Sequence, residues 1–270
     1  MTRSSLAFAA LSTILLAAGG ASANPRPLPF TYPYPTLPAG ETEVEQYADF
    51  TATRALSAST GKPATLGIFL FQTEIEHGIT DRLELGLYFQ LAPPVGEDFA
   101  SVATIGAGTA LKQRLRLRLA EAGAWPVDVS LYGEIVEART EIELEAKVNL
   151  ERRIGRLRLM ANLSAEHELY FDGRREWVLN PSAGATFQVT PSFHTGLEYW
   201  MNAELPLEAT EPRTFALGPH HYVGPAMLCN FGRIWWSSGV YFRLNEVARV
   251  QEPGDAYGHL WLRTIIGLDL

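Results

Sequence analysis

Residues 139–166 run Arg139-Thr140-Glu141-Ile142-Glu143-Leu144-Glu145-Ala146-Lys147-Val148-Asn149-Leu150-Glu151-Arg152-Arg153-Ile154-Gly155-Arg156-Leu157-Arg158-Leu159-Met160-Ala161-Asn162-Leu163-Ser164-Ala165-Glu166. Every second residue from Thr140 to Leu150 suits an apolar surface, while Glu141, Glu143, Glu145, Lys147, Asn149 and Glu151 fall between them. A period of two places the two series on opposite faces of an extended strand. From Arg156 onward Leu157, Leu159, Ala161 and Leu163 alternate in the same way with Arg158, Met160, Asn162 and Ser164. A hairpin turning at residues 152–155 would set Glu151 opposite Arg156, Asn149 opposite Arg158 and Glu145 opposite Asn162, all on one face.

The pattern extends outward from this hairpin in both directions. Leu83, Leu85, Leu87 and Phe89 alternate with Glu84, Gly86, Tyr88 and Gln90. Strands are predicted near residues 41–53, 64–77, 80–92, 101–118, 126–138, 139–151, 155–168, 175–189, 193–205, 213–228, 233–246 and 257–270, about twelve in all. Short connections at residues 77–81, 152–155, 190–192 and 230–232 alternate with longer ones around 54–63, 92–100, 169–175, 204–213 and 247–256. The turn near residues 137–140 is the tight exception.

The start of the chain is different. Arg3 precedes a small and apolar run over residues 6–18, and Ala21-Ser22-Ala23 follows. This is the pattern of a cleaved signal peptide over residues 1–23, with a run too short to cross a bilayer as a helix. Residues 24–40 hold prolines at 25, 27, 29, 33, 35 and 38. They are expected to form an extended leader that cannot pair fully in a sheet. Residues 41–270 would be the barrel. Cys229 is the single cysteine, so neither a lipid anchor at the cleavage point nor an internal disulfide is available. A formal net charge of −8 argues against nucleic acid as a partner.

Alternation alone fits both a lipid-facing barrel and a soluble sandwich. Three features favour the barrel. Leu260, Leu262, Ile266, Leu268 and Leu270 carry an apolar face to the last residue. Phe89, Trp177, Tyr199 and Phe242 fall near one end of the apolar faces, and Phe187, Phe193 and Trp236 near the other, as two interfacial girdles would. A long sheet without disulfides also needs its edges closed. The expected fold is therefore an all-β, antiparallel, up-and-down transmembrane barrel in the bacterial outer membrane.

Several segments carry a family resemblance: residues 32–40 with Glu41, Glu43 and Glu45, His77-Gly78-Ile79-Thr80-Asp81-Arg82-Leu83-Glu84, Glu143-Leu144-Glu145-Ala146-Lys147, and Leu217-Gly218-Pro219. Together these resemble the transporter-like outer-membrane barrels labelled MetA-pathway of phenol degradation. The resemblance implies an outer-membrane location and transport of small, aromatic compounds, and it supplies no catalytic residues. Leu270 departs from the terminal aromatic residue typical of outer-membrane barrels.

If the apolar face meets lipid, the charged face lines the lumen. Glu74, Glu76, Glu84, Lys112, Arg114, Arg116, Arg118, Glu143, Glu145 and Arg158 are the candidate pore-lining residues. They would either set a transverse field that selects solutes by charge or pair into a network that fills the barrel. A barrel of about twelve strands lies between filled barrels of eight and open ones of sixteen or more. The expected partners are outer-membrane lipid, the barrel-assembly machinery and a small, aromatic or charged solute, with no cofactor and no metal. A non-conducting structural barrel is the alternative. A hydrolase is disfavoured, because His220 and His221 point to opposite faces and no acid is spaced to orient a base for Ser237 or Ser238.

Overall fold

The computed structural model describes residues 24–56, 61–91, 109–207, 219–245 and 257–270. The proposed signal peptide, much of the longer connections, and residues 101–108 and 213–218 of two expected strands lie outside these. The described strands are β1 (Thr42–Leu56), β2 (Pro63–Gly78), β3 (Leu83–Leu91), β4 (Ala110–Arg118), β5 (Asp128–Ala138), β6 (Glu141–Ile154), β7 (Leu157–Tyr170), β8 (Arg175–Leu179), β9 (Ser182–Thr190), β10 (Phe193–Pro206), β11 (His220–Asn230), β12 (Ile234–Arg243) and β13 (Leu260–Asp269).

β8 and β9 occupy one position in the wall. Both lie between β7 and β10, and the register is continuous across the gap: Leu179 faces Ala165 and Ala203, and Ser182 faces Asn162 and Trp200. The gap is Asn180-Pro181, where proline lacks the N–H that a ladder requires. With β8 and β9 counted as one strand, every described strand pairs antiparallel with its neighbours in sequence, and β13 pairs with β1, so the sheet closes as a twelve-stranded barrel. Among the described residues, closure leaves no unpaired sheet edge.

The central hairpin departs from the expected register. Glu151 faces Met160 rather than Arg156, Asn149 faces Asn162 rather than Arg158, and Glu145 faces Glu166 rather than Asn162. β6 runs on to Ile154, and the reversal is made by Gly155-Arg156, with Gly155 at φ 60°. Glycine adopts that left-handed conformation without a Cβ clash, which allows a two-residue hairpin turn. The displacement is even, so each side chain keeps its expected face. A second difference lies at β3, which starts at Leu83 rather than near residue 80, because the Thr80 hydroxyl accepts the N–H groups of Arg82 and Leu83 and forms a turn.

The two faces of the wall have opposite character. Leu87, Phe89, Leu115, Leu131, Leu163, Leu197, Phe242 and Ile266 all stand exposed on the outside. The girdle candidates Phe187, Trp177 and Trp236 are exposed there too. The inside holds the buried groups, including Glu74, Glu84, Arg114, Glu198, Trp200, Tyr222 and Tyr241.

Candidate functional site in the lumen

The proline-rich leader lies inside the barrel. It begins beside Glu43, whose carboxylate accepts the Asn24 N–H at 3.3 Å, and ends at Gly40, which donates to the Gly78 carbonyl at 2.8 Å. Asn24 Nδ2 reaches the Pro35 carbonyl at 3.0 Å, so the segment loops in and returns to one end of the barrel. Gly78 makes the exit possible, because a Cβ there would lie 2.0 Å from the Pro38 carbonyl oxygen.

A buried chain must satisfy its backbone N–H groups, and six prolines leave few of them. Wall side chains accept many of those that remain. Glu198 accepts the N–H groups of Phe30 (3.0 Å) and Thr31 (2.6 Å). Glu151 accepts from Tyr34 at 3.0 Å and Glu84 from Leu37 at 2.7 Å. Asn162 holds both polar groups of Tyr32, accepting its N–H at 2.6 Å and donating to its carbonyl at 3.0 Å. The Arg116 guanidinium donates to the carbonyls of Pro33 and Pro35. Bonds to charged acceptors are stronger than neutral ones, so the leader is anchored along its length.

Arg26 is the centre of the anchor. Its Nη2 lies 3.0 Å from Glu45, 2.8 Å from Glu74 and 2.9 Å from Glu76. These three carboxylates converge closely enough to resemble a metal site, and the guanidinium occupies it. Burial disfavours the cation, and Glu45 and Glu74 among the surrounding groups outweigh it, raising the Arg26 pKa above its ordinary value. Arg114 lies alongside, 2.8 Å from both Glu74 and Glu76 and in contact with Glu84. Gly86 gives it room, since a Cβ there would come within 2.7 Å of Arg114 Nε. Arg116 completes the group at 3.2 Å from Glu84.

The structure therefore brings five of the ten candidate residues, Glu74, Glu76, Glu84, Arg114 and Arg116, into one buried cluster with the leader. The others lie elsewhere. Lys112 pairs with Glu134 at 3.5 Å, Glu145 with Lys147 at 2.9 Å, and Arg158 with Glu151 at 2.7 Å. Glu143 faces inward and is half-buried, while Arg118 pairs at 3.2 Å with the exposed Glu121 at the barrel end. His220 faces inward and His221 outward, where Tyr199 meets it at 2.7 Å.

The opposite wall is aromatic. Phe30 stacks on Trp200 at 4.3 Å and meets Tyr241 and Trp261 edge-on, while the Arg263 guanidinium lies 3.8 Å above its ring. Arg263 is itself held by Asp49 at 2.6 and 2.8 Å. The leader separates two cavities. One, of about 290 Å³, lies over Phe30 and Tyr32. The other, of about 400 Å³, lies against Asn24, Pro25, Pro35 and Pro38, with Arg153, Arg158 and His194 in its wall.

Sequence reasoning missed Arg26, Phe30, Glu151, Glu198, Asn162 and Trp200. One signal was available, since Arg26 is the lone charged residue of segment 24–40 and sits among prolines.

No family model and no curated protein matches this chain. Solved structures do. An outer membrane channel from Pseudomonas putida F1 aligns with a TM-score of 0.62 at 12% identity, over 92% of this chain and 100% of that one. The NanC porin aligns at 0.57 with 6% identity, over 84% of this chain and all (100%) of its own. The chain has the fold of bacterial outer-membrane β-barrels. At these identities the likeness is one of architecture, and the finer family resemblance read from the sequence is matched by no family model.

Proposed function

We propose that this chain is an outer-membrane channel for small solutes, closed by its own leader in the state described. Outer-membrane lipid surrounds its apolar face, and the barrel-assembly machinery inserts it. The observation that carries the reading is a looped segment, anchored by salt bridges and backbone hydrogen bonds, between two cavities of a lumen. A wall of this strand number encloses more space than its own side chains fill, and here the leader takes up the difference. Passage then depends on displacing the leader.

A non-conducting structural barrel is the second reading, favoured by the complete burial of Arg26, Glu74 and Arg114. Conductance in planar bilayers separates the two. The mature chain is expected to conduct little, and a chain lacking residues 24–40 to open stable channels. If the shortened chain folds, by its heat-modifiable gel migration, and still sits at the lipid baseline, the channel reading fails.

A further inference from the structure

Glu43 is a buried carboxylate with no lysine or arginine paired to it among the described residues. It is 0% exposed, and it faces acids on both sides of its strand, Glu76 on β2 and Asp269 on β13. Like charges set opposite each other across a ladder repel. Glu76 has Arg26 and Arg114 as partners, whereas Glu43 has two neutral donors, the Trp235 indole N–H and the Asn24 backbone N–H. Asp269 is 5% exposed and meets Glu43, and its Oδ2 accepts no hydrogen bond. Arg233 acts on Asp269 from the exposed β11–β12 turn, and Glu41 adds a further acid. The three arginines of the neighbouring cluster already serve four carboxylates, so no positive charge is left over there. Burying an ionised carboxylate without a counterion is costly, and neutral donors offset only part of that cost.

The missing charge has a source within reach. Glu43 is fixed in place, because Trp235 Nε1 donates to its Oε1, and that oxygen packs so closely on β13 that a Cβ at Gly267 would lie 2.6 Å from it. Its Oε2 accepts from the Asn24 nitrogen at 3.3 Å. This is long for a neutral amide bond and well inside the reach of an ion pair, about 4 Å. Asn24 is also the residue that follows Ala21-Ser22-Ala23, the small-x-small pattern after which signal peptides are cut. Cleavage there turns the Asn24 nitrogen from a neutral amide into an α-ammonium, with a positive charge and three N–H donors in place of one. The spacing agrees. Asn24 and Arg26 stand two residues apart on the leader, as Glu43 and Glu45 do on one face of β1, and Arg26 already meets Glu45 at 3.0 Å.

We infer that Asn24 begins the processed chain and that its α-ammonium is the counterion of Glu43, so that removal of residues 1–23 locks the leader into the lumen. Before cleavage the same nitrogen is an amide, and the leader's start lacks one of its two charges. The lock concerns how the leader is held and takes nothing from the channel reading, since it is measurable in a barrel that never conducts.

The test uses the folded chain beginning at Asn24, released from a fusion partner by a protease that leaves no added residue. Its counterpart is the same chain acetylated at the α-amine while unfolded, at about pH 6.5, where lysines stay protonated, and then refolded. Acetylation removes the charge and keeps an N–H. The readout is the rate of proteolytic cleavage within residues 24–40 of the refolded barrel. Acetylation should raise that rate at least about tenfold, because cleavage follows the population whose leader is released. Glu43→Gln should raise it by a similar factor, and acetylation of that variant should add nothing further. An unchanged rate on acetylation would overturn the inference. So would an equal rise in the Glu43→Gln chain, which would show that the acetyl group acts through its bulk. If Glu43→Gln does not fold, conversion of the α-amine to a ketone removes the charge without that bulk; the same tenfold rise is expected, and no rise would overturn the inference. The intact mass of the exported native chain should correspond to a start at Asn24, and a start elsewhere would overturn it as well. A chain that meets these expectations but never conducts without residues 24–40 refutes the channel and leaves the lock standing.

Discussion

The two walls that hold the leader do so by different physics. On the β1–β4 side Arg26, Arg114 and Arg116 meet Glu45, Glu74, Glu76 and Glu84 in a buried ionic cluster. On the β10–β13 side Phe30 is clasped by Trp200, Tyr241 and Trp261. Ion pairs of this kind are strict, since each charge depends on its partner's presence, whereas aromatic packing loses stability gradually as area is removed. The ionic wall should therefore break sharply and the aromatic wall yield.

Arg114→Met should be the most damaging change. It leaves Glu74, Glu76 and Glu84 buried with too little positive charge, at a cost of about 3–5 kcal/mol. The urea midpoint of the refolded barrel in detergent would register that loss, and an unchanged midpoint would show the cluster to be hydrated. Phe30→Ala should cost less, about 2 kcal/mol, because the ring already borders a cavity. Its sharper effect should be on the leader, read as faster proteolytic cleavage within residues 24–40 while the barrel's heat-modifiable migration is kept. Glu121→Gln removes the partner of Arg82 at the exposed end of the barrel, where the pair is 50% and 60% exposed. It should lower the stability read from the urea midpoint by less than about 1 kcal/mol, as an exposed pair does. A cost comparable to that of Arg114→Met would erase the distinction between buried and exposed charge on which the comparison depends.

Much of this wall was legible from the alternation of residues. The period of two assigns Leu163 outward and Asn162 inward wherever the turn falls, so the faces survive a register error at Gly155. The register did not, because the pattern repeats every two residues and cannot tell one even displacement from another. The Asn180-Pro181 break was hidden for a related reason, since the pairing continues across it. The acidic residues of β2 and β3 and the arginines of β4 were legible as inward-facing. Their common partner was not. Arg26 lies 48 residues from Glu74, and Phe30 lies 168 residues from Glu198. A proline-rich segment with no periodicity carries no sign of where it will lodge. Only the closed barrel, with space its own side chains leave open, makes the lumen its place.

The central claim is that the apolar face meets lipid while the charged face encloses the leader, and the location of the chain tests it most directly. Fractionation of cells producing the native chain is predicted to recover it in the outer-membrane fraction, resistant to carbonate extraction and migrating faster in unboiled than in boiled gel samples. Recovery as a soluble periplasmic protein would contradict the account, because the exposed leucines and aromatics would then face water.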